Sequence, residues 1–355
     1  MKKLISLAVT AFSIAAPATI LADTTLYGKA HVSIDWFEIE GTPRQEYKGW
    51  TLSKGDVGKG ASRGSSLGIR GSENLGGSLK AIYQVEFGIP LANEKDYDIH
   101  SGEQSGLEMR DSYVGLKSEV GTFFVGRHDT PLQVSTIPLE LFDDTMADNA
   151  HTVGFNDIHA DNIISYLSPD WGGFQFFGAI TPGSASTVDG RKNRNADSLA
   201  EAYSLAATYG NGPWYVSAAH EVLANEFGNQ AQAYADYKKW RVGLGIQDLN
   251  GFYLSAIYEN QKSIDFMEKV NGKDNDADVW QGQLGYAFGN TMIKGMYGKR
   301  SPDAADETKS WAVGVDHNFS KRTKVYALYT KVDVDREGTN EDDWKGFSLG
   351  MMHDF

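Results

Sequence analysis

The side chains able to do chemistry are unevenly placed along the chain. Glu140, Asp143, Asp144 and Asp148 crowd one connecting stretch, Asp129 to His159. By pattern alone that is a solvated acidic loop. A second acidic run, Asp274-Asn275-Asp276-Ala277-Asp278, offers oxygens to a divalent cation but lacks the glycine and closing glutamate of a calcium loop. Gly55-Asp56-Val57-Gly58-Lys59-Gly60 has neither the spacing nor the terminal Ser/Thr of a phosphate loop. The eight histidines form no HExxH or other metal spacing, and no GxSxG elbow occurs. No cofactor or metal is expected, and enzymatic activity is not.

The elements that hold these residues must be reached by export. Lys2 and Lys3 precede an apolar run from Leu4 to Ala16, then Pro17 and the small residue Ala22. This order predicts a signal peptide over 1–22, too short and too soon interrupted for a transmembrane helix. Taking its two lysines from the 33 Lys and Arg leaves 31 against 47 Asp and Glu, a formal charge of −16 for residues 23–355, which are expected to form one domain. Such a surface repels nucleic acid. The absence of cysteine is compatible with passage through an oxidising compartment. Beyond the leader no run of about 18 apolar residues occurs, which excludes a helical membrane protein. A barrel whose strands show hydrocarbon only at every second residue remains open, and fits the mean hydropathy of −0.39.

Period two is the recurring local signal. Leu79, Ala81, Tyr83, Val85 and Phe87 alternate with Lys80, Gln84 and Glu86; Trp240, Val242, Leu244 and Ile246 alternate with Arg241 and Gln247. The same alternation runs through Trp280 to Phe288 and Trp311 to Asn318. Half-buried strands of this length cross a bilayer when tilted. Short turns such as Glu73 to Gly77, Gly210 to Pro213, Asp248 to Gly251 and Phe319 to Arg322 alternate with long polar stretches such as Glu38 to Gly60, Pro90 to Leu107 and Pro182 to Leu199. That asymmetry belongs to outer-membrane barrels rather than soluble sandwiches. The expectation is therefore an all-β fold, a transmembrane antiparallel β-barrel most simply of 16 strands, with 14 or 18 as neighbouring counts. Tyr27, Trp36, Trp50, Phe87, Trp171, Phe174, Trp214, Trp240, Phe252, Trp280, Phe288, Trp311, Phe319 and Trp344 sit at strand ends, where they suit interfacial girdles. The same rings would also suit a sandwich core.

Several segments resemble the general porin family of Gram-negative outer membranes, over nearly the whole of residues 23–355. They are Thr25-Leu26-Tyr27-Gly28-Lys29, Leu67 to Ala81, Arg110-Asp111-Ser112-Tyr113-Val114-Gly115-Leu116, Gly121 to Arg127, and Asp161 to Pro169. The chain closes on Phe347, Leu349, Met351 and Phe355, similar to the end by which the barrel-assembly machinery recognises its clients; His353 stands where the family more often has tyrosine. The resemblance implies short periplasmic turns, long extracellular loops, and a homotrimer in the outer membrane among lipid and lipopolysaccharide. It implies that the Asp129–His159 stretch, the third loop, folds inward, so that Glu140, Asp143, Asp144 and Asp148 line a constriction passed by small hydrophilic solutes and ions.

A basic wall should face those acids. In the first strand Leu26, Gly28, Ala30, Val32, Ile34 and Trp36 point outward, which turns Lys29, His31, Ser33 and Asp35 inward; the same logic turns Arg70 and Lys80 inward. Arg110 matches a family arginine, but its strand is apolar on both parities, so alternation leaves its direction open. Arg127 completes the expected set while sharing parity with Phe123 and Val125. A further family arginine near the end of the third loop has no counterpart beside His159 and Leu167. Opposite charges across a channel orient water and admit polar solutes, and the acidic excess predicts a mild cation preference. Three rival readings stay open: a selective channel for one sugar or anion, an adhesin or receptor barrel, and a barrel hydrolase using His220 or His317.

Overall fold

The computed structural model describes residues 23–40, 47–53, 64–89, 91–92, 96–97, 104–105, 107–155, 157–183, 187–188, 191–192, 198–223, 237–262, 276–303, 306–335 and 343–355. The leader expected over 1–22, the Gly55–Gly60 run and Asp274 lie outside these residues.

Period-two alternation becomes sixteen antiparallel barrel strands. These are β1 (Asp23–Ile39), β2 (Ser66–Gly76), β3 (Leu79–Gly88), β4 (Glu108–Met109 with Ser112–Ser118), β5 (Gly121–Asp129), β6 (His159–Leu167), β7 (Phe174–Thr181), β8 (Ala202–Asn211), β9 (Trp214–Leu223), β10 (Tyr237–Leu249), β11 (Phe252–Lys262), β12 (Ala277–Phe288), β13 (Thr291–Pro302), β14 (Glu307–Ser320), β15 (Thr323–Asp335) and β16 (Trp344–Asp354). Each pairs with its sequence neighbours. Closure comes from β1, whose Lys29 to Ile39 ladder against Asp354 to Trp344 of β16. Gly28 and Phe355 exchange backbone hydrogen bonds at the seam. A closed ladder leaves no strand edge for hydrocarbon to meet.

Two departures from simple alternation appear. The fourth strand breaks at Arg110-Asp111, freeing both side chains from the pleat. Within the Glu38–Gly60 stretch read as a loop, Tyr47–Leu52 folds back as a strand on Ile34 to Ile39, with Trp50 opposite Trp36. The short reversals follow turn chemistry: Gly251 has φ +88°, and a Cβ there would stand 2.4 Å from the Ala287 carbonyl oxygen, so glycine is required.

Burial is inverted relative to a soluble protein. Leu26, Val32, Ile34, Trp214, Trp240, Leu244, Leu254, Leu284 and Val313 are exposed on the outer face, whereas Lys239, Arg241, Glu259, Gln261 and Gln281 are buried inside. Apolar side chains outside and polar ones inside is the arrangement a lipid-embedded barrel demands. Trp171, Trp214, Phe252, Phe288 and Phe319 stand exposed beside the short turns, as a girdle requires. Tyr27 and Trp344 do not belong to it. Trp344 is buried against Phe37 with ring centroids 6.2 Å apart, and the Tyr27 hydroxyl donates to Glu86 inside the barrel. Both share parity with inward neighbours, which overrides their place near strand ends.

Leu244 lies on the lipid face near the middle of β10. Leu244→Arg is expected to destabilise the barrel by about 2–4 kcal/mol, read from urea-dependent refolding into lipid vesicles.

Candidate functional site: a lumen narrowed by the third loop

The chain between β5 and β6 turns into the barrel because its underside is apolar. Leu132, Leu139, Phe142, Met146, Val153 and Phe155 are all buried, and Phe142 and Met146 join Phe37, Met296, Ala312, Tyr326, Leu328 and Trp344 of the inner wall in one cluster. Inward glycines make the slots for them. A Cβ at Gly243 or Gly245 would stand 2.5 Å from a Leu139 methyl, at Gly298 2.7 Å from Val153, and at Gly346 2.4 Å from the Met146 sulfur. Each docked side chain removes apolar surface from lumen water, worth roughly 1.5–3 kcal/mol for a fully buried leucine, phenylalanine or methionine.

Three short helical turns, α1 (Pro131–Val134), a 3-10 turn (Ile137–Leu139) and α2 (Asn149–Thr152), carry the loop across the lumen. Wall side chains satisfy the backbone groups so exposed: Ser204 accepts from Leu132 N, Ser255 donates to the Leu139 carbonyl, Gln283 accepts from Leu141 N, and Gln247 donates to the Pro138 carbonyl. The central fastener is Arg241. Its fully buried guanidinium bonds Glu259 on the wall at 2.6 Å, and Asp157 and Thr136 on the loop at 2.6 and 3.1 Å. A buried cation satisfied on three sides holds the loop to the wall; leaving its partners unpaired costs about 3–5 kcal/mol.

The loop's other side carries the expected acids. Asp144 adopts φ +59° and forms an ion pair with Lys29 of β1, Nζ to Oδ2 2.5 Å, which adds to the apolar contacts of Phe142 and Met146 with the same wall. Glu140, Asp143 and Asp148 present carboxylate oxygens within 4.8 Å of one another. Asp148 is also structural: it caps α2 by accepting from Ala150 N and accepts from Asp144 N, each at 2.9 Å. Confinement within the barrel and the Asp144 charge push the Asp143 carboxyl up to about 6, and confinement together with Asp143 pushes Asp148 up to about 8. Glu140 is raised too, by burial and then by Asp148. For Asp144 burial acts upward but is outweighed by Lys29, so its carboxyl lies below the usual range.

The structure gathers the basic residues only in part. Lys29 and Arg110 reach the acids directly or through their field, and Arg110 Nε bonds Glu86 Oε1 at 3.0 Å. Arg70 lies 4.7 Å over the Tyr27 ring. Lys80 keeps its inward parity but sits beside the Gly77-Ser78 turn, near the short-turn rim. Arg127 is a correction: it shares the parity of exposed Phe123 and Val125 and pairs with the exposed Asp161 at 2.5 Å. A β-bulge at Asp161-Asn162 gives it that partner, and the pair does not join the lumen group. Tyr27 and Lys324 are among the lumen residues that sequence reading misses. Tyr27 could have been found from its parity with Lys29; Lys324, whose charge acts on Asp143, lies on a strand apolar on both parities.

The described parts of the other chemical candidates have ordinary partners. Asp276 pairs with Lys262 at 3.0 Å, and Asp278 accepts from Tyr258 and Asn260. His220 stacks on Trp240 with centroids 3.9 Å apart, and His317 meets Thr291 and Phe319; neither enters a serine–histidine–acid set among the described residues.

A family model described as Gram-negative porin matches residues 5–338. The chain belongs to the Gram-negative porin family. The major outer membrane protein P.IB of Neisseria gonorrhoeae is 26% identical over 342 residues, 91% of either chain. An outer membrane porin protein of Bordetella pertussis is 26% identical, covering 100% of this chain and 91% of its own. Among solved structures, an anion-selective porin from Comamonas acidovorans superposes with a TM-score of 0.71 at 21% identity, covering 94% of this chain and 100% of its own. An outer membrane protein of Vibrio cholerae solved in trimer form gives 0.64 at 16% identity, covering 94% and 99%. This porin lies in the bacterial outer membrane as a multi-pass β-barrel and forms a water-filled channel for passive diffusion of small hydrophilic solutes and ions.

If glycine slots seat the loop, Gly243→Val is expected to displace Leu139 and raise single-channel conductance and current noise. Arg241→Leu should do the same more strongly, because Asp157 and Glu259 lose their cation. Planar-bilayer recordings read both.

Proposed function

We propose that this porin is a general diffusion channel with a mild cation preference set by the third loop. The observation that carries the reading is the Asp144–Lys29 bridge with Glu140, Asp143 and Asp148 grouped on the loop beside it. Lys29, Arg70, Arg110 and Lys324 stand on the wall side, so the bore carries a transverse field that a polar solute can use in place of hydration water. No residue in this arrangement needs to react, and no energy source is coupled to it.

Raised carboxyl groups make the preference titratable. Below about pH 6 both Asp143 and Asp148 are protonated and the wall cations dominate; above about pH 8 both are charged. Cation preference should therefore grow from pH 5 to pH 9. Reversal potentials under a potassium chloride gradient at pH 5, 7 and 9 test this, with Asp143→Asn expected to remove the lower step. Anion preference at pH 7 and 9 would overturn the reading and favour the behaviour named for the Comamonas acidovorans porin.

The assembly we infer is a homotrimer, packed through the early strands and the last one, with lipopolysaccharide against the remaining outer face. Support comes from the trimer form of the Vibrio cholerae protein of the same fold. Phe355, half exposed at the seam with β1, is the residue we expect the barrel-assembly machinery to read. A species that runs as a trimer unheated and as a monomer after heating is expected on detergent gels; a monomer in mild detergent without heating would refute the assembly.

A further inference from the structure

We infer that the neck of the third loop is a binding site for a first-row divalent transition ion, built from Asp111, Asp129 and His159 with His128 beside them. Asp129 ends β5 and His159 opens β6, and the two are paired across the ladder; Asp111 comes from the break in β4. One ligand atom from each of Asp111, Asp129 and His159 lies within 4.8 Å of the others. His159 Nδ1 and Asp129 Oδ1 are in contact, and both atoms are shut off from water. Asp111 Oδ1 stands 4.0 Å from His159 Nδ1 and accepts from Asp129 N at 3.2 Å, which fixes the carboxylate.

His128 stands beside the group, on the Asp111 side. Its Nδ1 lies 2.9 Å from the Asp129 carbonyl oxygen, so with the proton on that nitrogen Nε2 keeps its lone pair, 3.6 Å from Asp111 Oδ2. An imidazole oriented by a carbonyl is the usual support of a metal-binding histidine. Phe124, Phe177 and Tyr113 pack around the His128 ring, with centroids 5.2 to 5.9 Å away, and limit its swing. Arg110, whose charge acts on this group, is itself bonded to Glu86. Mixed imidazole and carboxylate donors suit Zn2+, Co2+ or Ni2+ better than Ca2+ or Mg2+. His159 also borders a cavity of about 350 Å3. An ion held there ties together the two ends of the loop that narrows the channel. The acids Glu140, Asp143 and Asp148 are a separate group without a histidine.

Zn2+ is the probe, added to chelator-treated, refolded full-length protein in detergent, with bound metal measured after desalting and affinity by calorimetry. One tightly held Zn2+ per chain is expected. His159→Gln and Asp129→Asn should each weaken binding at least tenfold, in protein shown by heat-modifiable mobility to be folded; Asp111→Asn serves if either fails to fold. Glu140→Gln with Asp143→Asn should leave binding unchanged. Absence of stoichiometric Zn2+, its retention in the neck variants, or its loss in the loop-acid double variant would each overturn the site. Binding is read without any current, so it stands or falls apart from the cation preference.

Discussion

Everything in this structure depends on the sheet being closed. Inside a bilayer an unpaired backbone N–H or C=O has no water to turn to, and each costs several kcal/mol. The ladder between Lys29–Ile39 and Trp344–Asp354 removes the last free edges. Closure also imposes the division of faces: once the sheet is a cylinder, one parity meets lipid and the other meets water. Leu244 and Trp240 are exposed while Arg241 and Lys239 beside them are buried for this reason alone.

A cylinder of sixteen strands is wider than its own side chains can fill, and the third loop is what narrows it. Its two sides obey different physics. The underside behaves like a small soluble core, with Leu139, Phe142 and Met146 seated against wall glycines. The upper side behaves like an electrolyte surface, where Asp144 meets Lys29 and the neighbouring carboxyl groups hold on to protons beyond their ordinary range. Between the two lies Arg241, whose bonds to Asp157, Thr136 and Glu259 convert a polar wall into an anchor.

Facing on a strand follows alternation more strictly than it follows position or likeness. Their place near strand ends suggests a girdle for Tyr27 and Trp344, but their parity puts them inside. Arg127 matches by likeness although its parity points outward, and it pairs with the exposed Asp161 away from the loop acids. Where position and alternation disagreed, alternation prevailed, because a one-residue shift of facing would move every neighbour on the strand. Asp148 shows a different gap: a carboxylate in an acidic run looks like its neighbours until α2 is known to start after it.

Alternation, turn chemistry and the contrast of short and long connections determined by themselves that this chain forms a membrane barrel with Lys29, Arg70 and Lys80 turned inward. These are local properties, since the facing of a strand residue depends only on its immediate neighbours. Tertiary structure alone decided which inward charges meet. Lys29 and Asp144 are 115 positions apart, and the docking of Leu139 on Gly243, the bonds of Arg241 and the neck formed by Asp111, Asp129 and His159 likewise join distant segments. Such contacts arise from the path of the loop through a closed cylinder, and no local pattern encodes that path.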